Sequence, residues 1–318
     1  MPLHLDYRPK SLDEFYGNES LKDSLRSILE RKDRPRSYLI TGQSGCGKTT
    51  LARIIAKEYG CDINTDYFEL NIAQIGGKDE SGRIQREMHY APMGENSRVR
   101  VYCLDEIQDS SSAFQAGLLK ALEDTPQHVL FILCTTDPQR LKKTIHTRCS
   151  RFEVQPFAPQ LMFQFIQDVL NQEGMENYPV EPISEIVKAA DGSPRQALVI
   201  LDQVIDLPDI GSVMAAIQRF TVAEASVIDL CRSLLRKDWN GCRDQLQALD
   251  GKTDVEKIRH AILSYMRKVL LSDRPDQTAY LVIRCFERPF YDSGLAGLVA
   301  ASWAVMSRVK TDFFDIPH

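Results

Sequence analysis

The chain has 318 residues, 43% of them hydrophobic and 26% charged, the composition of a folded globular protein with room for two or three domains. Its net charge of −5 argues against a generally basic nucleic-acid binder, though not against a local basic surface. Three further features are missing: an apolar run near the roughly eighteen residues of a membrane span, the charged and apolar regions of a secretory signal, and any C-x-x-C pair of a zinc ribbon or dithiol site. Single, scattered cysteines and no membrane segment fit a cytoplasmic protein.

In chain order, Tyr7-Arg8-Pro9-Lys10 reads from composition as an N-terminal arm, and Gly17 marks a turn. Residues 19–31 carry Leu21, Leu25, Ile28 and Leu29 at helical spacing. An apolar strand from Ser37 then runs into Gly42-Gln43-Ser44-Gly45-Cys46-Gly47-Lys48-Thr49-Thr50, a G-x-x-x-x-G-K-T loop, and a helix with Leu51, Ile54 and Ile55 follows. Glycines at 42, 45 and 47 let successive backbone N–H groups turn inward around phosphates, and the helix N-terminus adds partial positive charge. Lys48 can reach the β- and γ-phosphates, and the Thr49 hydroxyl can ligate Mg²⁺. A chance match on a surface turn would lack the strand before and the helix after.

Residues 67–72 alternate as a strand, 76–82 read as a loop and 83–90 as a helix. Val101-Tyr102-Cys103-Leu104-Asp105-Glu106 is an apolar strand ending in two carboxylates. Asp-Glu after an apolar run is often only a strand end. Behind a phosphate loop it reads as a metal-holding Asp105 and a water-polarising Glu106. Ser112-Ala113-Phe114-Gln115 fits a capping box for a helix with Leu118, Leu119 and Leu122. Val129–Cys134 is another buried strand, ending in Thr135-Thr136-Asp137-Pro138. From spacing alone, these hydroxyls face a nucleotide or cap a turn.

Residues 139–151 hold five Lys/Arg and no acidic residue. That is a solvated face, or a run from which one Arg reaches a phosphate on another subunit. Phe152-Glu153-Val154 looks like a last strand, and Pro156 and Pro159 mark a boundary. Helical patterns cover 160–173, 183–190 and 194–206, the last opened by Gly192 as a stop, Ser193 as a cap and Pro194 at the first helical position. Arg195 then lies in a first helical turn, where the dipole disfavours a cation. It has an anionic partner there or is a plain surface residue. After Pro208-Asp209-Ile210-Gly211 the remainder reads as helical, with capping boxes at 221–224 and 253–256 and a stripe of Val255, Ile258, Ile262, Tyr265, Met266 and Val269.

Taken together, these motifs resemble those of the AAA+ ATPase subunits of sliding-clamp loaders, above all the bacterial gamma/tau subunit of the DNA polymerase III loader and more distantly the small subunits of replication factor C. The resemblance runs from about residue 6 to residue 206. It is carried by Tyr7-Arg8-Pro9-Lys10, the 42–49 loop, His89-Tyr90-Ala91-Pro92, the 101–106 strand, Leu118–Glu123, Thr135–Gln139, Thr147-Arg148-Cys149 and Gly192–Arg195. It implies an α/β P-loop AAA+ domain (a parallel sheet flanked by helices) over 1–156, a small helical lid over 157–207 and an all-α collar over 208–318.

The resemblance also implies roles. Tyr7 and Arg8 line the adenine pocket; residues 42–50 hold the phosphates of ATP; Thr49 and Asp105 hold Mg²⁺; Thr136, or else Thr135, senses the γ-phosphate. Arg148 is the arginine finger for a neighbouring subunit's site, and Arg195 is the second sensor, reaching its own subunit's ATP. Helix beginnings near Arg83–Arg86 and Ser110–Gln115 are candidates for tracking DNA, and apolar residues near Met88, Tyr90 and Met93 for touching the clamp. The expected partners are a sliding clamp, primer-template DNA and other loader subunits in a five-membered ring, in the cytoplasm of a bacterial or phage-infected cell. Two departures stand out. The four-cysteine zinc module of the bacterial gamma subunit shrinks here to residues 60–66 with Cys61 alone, so no zinc is expected. No extension for polymerase or helicase is expected after the collar. A non-hydrolysing loader subunit is disfavoured by the intact Lys48, Thr49, Asp105 and Glu106, and a branch-migration helicase by the lack of a basic winged-helix signature.

Overall fold

The structure is a computed structural model and describes residues 2–75, 78–249, 255–272, 275–290 and 293–307. Two compact units divide the chain, Met1–Ile217 and Gln218–His318.

The first unit is built on five parallel strands: β1 (Ser37–Gly42), β2 (Tyr67–Asn71), β3 (Arg100–Asp105), β4 (Val129–Thr135) and β5 (Ser150–Val154), in the order β2-β3-β4-β1-β5. Successive side chains of a strand point to opposite faces, and both faces of the central strands β3, β4 and β1 are covered, so these three are buried almost throughout, whereas the edge strands β2 and β5 are only partly so. Tyr38, Ile40, Val101, Cys103, Leu130, Ile132 and Cys134 enter one core. Their strand neighbours Leu39, Tyr102, Leu104, Phe131 and Leu133 enter the other. Cys103 and Cys134 are thus small core hydrophobes, both fully buried.

The short helix α1 (Leu3–Asp6) precedes Tyr7-Arg8-Pro9-Lys10, and Leu3 N donates to Asp202 Oδ1 at 3.1 Å. Helices α2 (Glu19–Leu29) and α3 (Lys48–Glu58) cover the first face through Leu21, Leu25, Leu51, Ile54 and Ile55. The second face is covered by α4 (Ile72–Ile75), α5 (Lys78–Glu87), α6 (Ser112–Glu123) and α7 (Lys143–His146). Several expectations need correction here. Strand β2 ends at Asn71, and Ile72 starts a helix turn. Lys78 begins α5, inside the expected 76–82 loop, of which 76–77 lie outside the described residues. Arg83 and Arg86 therefore sit in mid-helix and last turn, not at a helix start, and Arg83 pairs with Glu80 and Glu87 of its own helix. Met88 is core rather than exposed surface, whereas Tyr90 and Met93 are exposed. The α6 cap is Ser111, whose Oγ accepts from Phe114 N at 3.1 Å; the expected Ser112 is the first helical residue.

Between α3 and β2, buried Asp66 ties two loops together. Its Oδ1 accepts from Met93 N at 2.8 Å and its Oδ2 from Gly94 N at 2.9 Å and Thr65 Oγ1 at 3.2 Å. Burial alone would raise its carboxyl, but these amide and hydroxyl donors together pull it below the usual range. Bonds to a charged group are worth about 1.5–3 kcal/mol, so Asp66→Ala is expected to cost about 2–3 kcal/mol, or roughly 4–12 °C in Tm at pH 7. A folded-state pKa below the unfolded value stabilises above about pH 4 and is lost as pH falls through the folded value. Thermal melts of both proteins should therefore converge below about pH 4. A gap that does not narrow as the pH falls below about 4 would contradict this role.

Three helices complete the first unit: α8 (Pro159–Gln172), α9 (Val180–Ala190) and α10 (Pro194–Val204). They pack through Ile166, Leu170, Ile186, Ala190, Ile200 and Leu201, all buried. Ser193 caps α10 as expected, its Oγ accepting from Gln196 N at 3.2 Å. Gly192 has φ +77°, and a Cβ there would stand 2.7 Å from Pro156 Cβ. Glycine at 192 therefore lets the chain turn tightly against 156–157, where Phe157 N donates to Gly192 O at 2.9 Å.

In the second unit helices are the only regular elements among the described residues. Helix α11 (Ile210–Arg236) spans the unit boundary and runs unbroken through the expected cap at Thr221, which is thus mid-helix. It is followed by α12 (Trp239–Gln247), α13 (Val255–Leu270), α14 (Gln277–Phe286) and α15 (Gly294–Ser307). The expected cap at Thr253 lies outside the described residues. The stripe on α13 faces inward as anticipated, with Ile258, Ile262 and Met266 buried beside Leu230, Leu234, Val282 and Leu298. Among the described residues, no helix is long and apolar enough to cross a membrane.

Candidate nucleotide-binding site at the carboxyl edge of the sheet

In a parallel sheet every strand ends on one edge, and ligands bind there. On this edge β1 delivers the 42–49 loop, β3 delivers Asp105 and Glu106, and β4 delivers Thr135 and Thr136. Ser44, Lys48, Thr49, Asp105, Glu106 and Arg195 line one pocket. Candidates from three separate stretches of the chain, residues 44–49, 105–106 and 195, thus lie together.

Lys48 opens α3 and is buried, its Nζ donating to Gly42 O and Gln43 O at 3.0 Å each. These carbonyls hold the ammonium over its own loop. Gln43 and Ser44 are exposed at the tip; Cys46 is buried, and burial raises its thiol. Thr49 Oγ1 donates to Asp105 Oδ2 at 2.9 Å, and Asp105 Oδ1 accepts from Glu106 N at 3.1 Å. A hydroxyl and a carboxylate joined beside a phosphate loop form an all-oxygen donor set, the chemistry a hard divalent cation needs.

Glu106 takes φ 50° and ψ 44°, a left-handed backbone that costs a non-glycine residue roughly 1–3 kcal/mol. The turn bends the chain into the short 3₁₀ stretch Ile107–Asp109 and leaves the carboxylate at the pocket. Glu106 Oε2 accepts from Gln108 Nε2, and from Thr136 Oγ1 at 3.3 Å. The two threonines separate cleanly: Thr135 is fully buried, and Thr136 is the exposed one that meets Glu106.

The α10 end closes the pocket from the other side. Arg195 N donates to Gly45 O at 3.4 Å. Gly45 has φ +77°, and a Cβ there would lie 2.2 Å from Ser193 Oγ, so the phosphate loop touches the cap of α10. Arg195 is exposed and lines the same pocket as Lys48.

Next to it is a cavity of about 270 Å³, lined by Tyr7, Phe15, Tyr16, Phe165 and Leu198. Gly45, Gly47, Thr50 and Arg195 line both spaces, so the cavity opens onto the loop. Arg8 Nε donates to Thr50 Oγ1 at 3.1 Å, and its guanidinium is lowered by burial and then by the nearby Arg53 charge. Tyr7 Oη donates to Glu173 at 2.6 Å, with its phenol pushed up to about 12 by burial and then by that bond; Tyr16 makes a matching bond to Asp168. Both acceptors lie at or near the end of α8, and neither was foreseen.

Arg148 stands apart. It follows α7, pairs with Glu123 at the end of α6 and donates from Nη1 to Thr144 O at 3.0 Å. It lines neither space. Arg83 and Arg86 are also outside both. Sequence reading did not single out Gln108, and it gave Glu123, quoted only within the Leu118–Glu123 stretch, no role. Each is an unremarkable residue in a helical or turn pattern, and the only available signal was proximity to the motif carboxylate or a motif arginine.

Comparison with known proteins agrees with this architecture. Residues 38–160 match the model of the ATPase family associated with various cellular activities (AAA), so this segment is an AAA domain. The chain is homologous to DNA polymerase III gamma/tau subunits. It is 31% identical over 228 residues to subunit gamma/tau of Mycobacterium tuberculosis, covering 64% of this chain and 39% of that protein. It is 30% identical over 295 residues to subunit tau of Bacillus subtilis, covering 85% and 51%. The chain spans about a third to three fifths of the length of the curated relatives it matches. Among solved structures, Thermotoga maritima RuvB, titled a Holliday junction branch migration motor, superposes with a TM-score of 0.55 at 22% identity, over 86% of this chain and 90% of that one. This last likeness shows the fold alone.

Proposed function

We propose that the chain is an ATPase subunit of a DNA sliding-clamp loader. The observation that carries the proposal is one pocket holding Lys48, Thr49, Asp105, Glu106 and Arg195 while Arg148 lies outside it, in a chain homologous to gamma/tau subunits. Under this proposal residues 1–156 are the nucleotide-binding domain, 157–207 a lid and 208–318 a collar that joins a five-subunit ring.

The adenine enters the cavity of Tyr7 and Arg8, and the phosphates lie along residues 42–50 under Lys48. Thr49 and Asp105 hold Mg²⁺, which when bound neutralises charge on the phosphate oxygens. Glu106 orients the attacking water and takes its proton, Thr136 and Arg195 bond the terminal phosphate, and Arg148 serves the neighbouring subunit's site. ATP binding then opens the clamp, and primer-template DNA triggers hydrolysis and release, in the bacterial cytoplasm or a phage-infected cell. A branch-migration motor has only the fold-level likeness to RuvB in its favour.

The decisive measurement is ATP turnover of the purified complex with clamp, with primed DNA, and with both. Stimulation well above either addition alone is the expected result, and turnover indifferent to the clamp would reject the loader reading. Lys48→Ala should weaken ATP binding by roughly 10-fold or more, in line with the ~1.5–3 kcal/mol of a charge-assisted bond, read by equilibrium titration with a fluorescent ATP analogue.

A further inference from the structure

Gln108 lies two residues beyond Glu106, buried in the 3₁₀ turn, with its amide oxygen and its amide nitrogen both bonded to residues at the site. Thr135 Oγ1 accepts from Asp137 N at 3.1 Å, so its proton is free to be donated, and it goes to Gln108 Oε1 at 2.6 Å. With its carbonyl taken on that side, the amide presents both N–H bonds on the other. One goes to Glu106 Oε2 and the other to Thr136 Oγ1 at 3.0 Å. A flipped amide would set its oxygen against the Glu106 carboxylate and its NH₂ against the Thr135 hydroxyl, so the network selects one orientation.

We propose that Gln108 is a positioning residue that aims the Glu106 carboxylate, with the buried Thr135 hydroxyl fixing the direction of its amide. This rests on the reading of Glu106 as the group that orients water. Gln108 itself touches no reacting atom. Its role is to anchor one carboxylate oxygen, Oε2, and to link it to Thr136. A movement of Thr136 on meeting a phosphate is therefore felt at Glu106 through this amide as well as through the direct bond between the two. Burial makes the arrangement demanding, because a donor or acceptor left unpaired there has lost its water and gained no partner.

The test uses the chain in its assembled complex, with primed DNA and Mg-ATP. Gln108→Leu keeps the bulk and removes the donors. It is expected to lower kcat by roughly 10–100-fold, the cost of misplacing a catalytic group by an ångström or less, with KM and ATP affinity within about twofold. Thr135→Val should lower kcat in the parent but cause no further loss in the Gln108→Leu background. A packing role would instead give additive losses. Gln108→Glu serves as the second variant; it keeps the size and polarity and is expected to be at least as impaired, because two carboxylates then share the turn. Circular dichroism confirms that each variant folds.

Glu106→Gln is run in parallel. If it is inactive while Gln108→Leu and Gln108→Glu turn over within twofold of the parent, this inference alone fails. If Glu106→Gln itself turns over normally, the reading of Glu106 fails and this inference falls with it. Additive Thr135 and Gln108 losses, or losses in ATP affinity rather than kcat, also overturn it.

Discussion

Glu106→Gln is expected to bind ATP with parental affinity and to hydrolyse it roughly 10²–10⁴-fold more slowly in the assembled complex, the contribution of a positioned general base. The amide keeps the size of the carboxylate and can still accept from Gln108 and Thr136 through its oxygen, so the turn should survive. What is lost is the charge that polarises water. The strained backbone at residue 106 is the physical hint: a φ of 50° on a glutamate persists only where the surroundings enforce it. The check is a pair of measurements on one preparation, ATP affinity by titration and single-turnover hydrolysis. Clamp opening under ATP should persist. Turnover within a few-fold of the parent would remove Glu106 from the mechanism.

Arg148→Ala carries the second large effect. Hydrolysis in the complex should drop by roughly 10³-fold or more, as for an arginine supplied in trans, while the subunit's own ATP affinity stays within about twofold. Stability should change little, because the Glu123 partnership is half exposed and such pairs are worth about 0–1 kcal/mol. The separation of the two readouts is the point: a residue of the subunit's own pocket would alter affinity as well. Complexes mixed from Arg148→Ala and Lys48→Ala subunits sharpen the assignment, since the arginine lost from one subunit should silence its neighbour's site. Undiminished hydrolysis in a complex built wholly from Arg148→Ala subunits would reject the finger role.

The strands and the phosphate loop were legible because their signals are local. Period-two burial needs only apolar residues in a row, and G-x-x-x-x-G-K-T places its functional groups by sequence spacing alone. Thr135 and Thr136 could not be told apart by composition. The structure separates them because the strand ends at Thr135, which keeps the buried alternation, and the next residue leaves the sheet. The displaced cap at Ser111 and the unbroken helix through Thr221 show the weakness of capping boxes: several Ser/Thr residues fit the pattern, and tertiary packing chooses among them. Glu173 and Gln108, and Glu123 as the partner of Arg148, were invisible for a different reason. Each meets its partner across a chain separation or a turn that no periodicity encodes.

The order of strands carries a consequence for how the protein is made. β1, which bears the phosphate loop, is synthesised first but pairs only with β4 and β5, the last two strands. About ninety residues separate the end of β1 from the start of β4, or roughly 4–17 s of synthesis at about 5–20 residues per second. Through that interval Tyr38, Leu39 and Ile40 have no strand beside them on either edge. The nascent chain thus carries its most conspicuous motif as an unpaired apolar strand until synthesis has passed Thr135, and with one edge still open until Val154, and this is the window in which a ribosome-associated chaperone has most to protect.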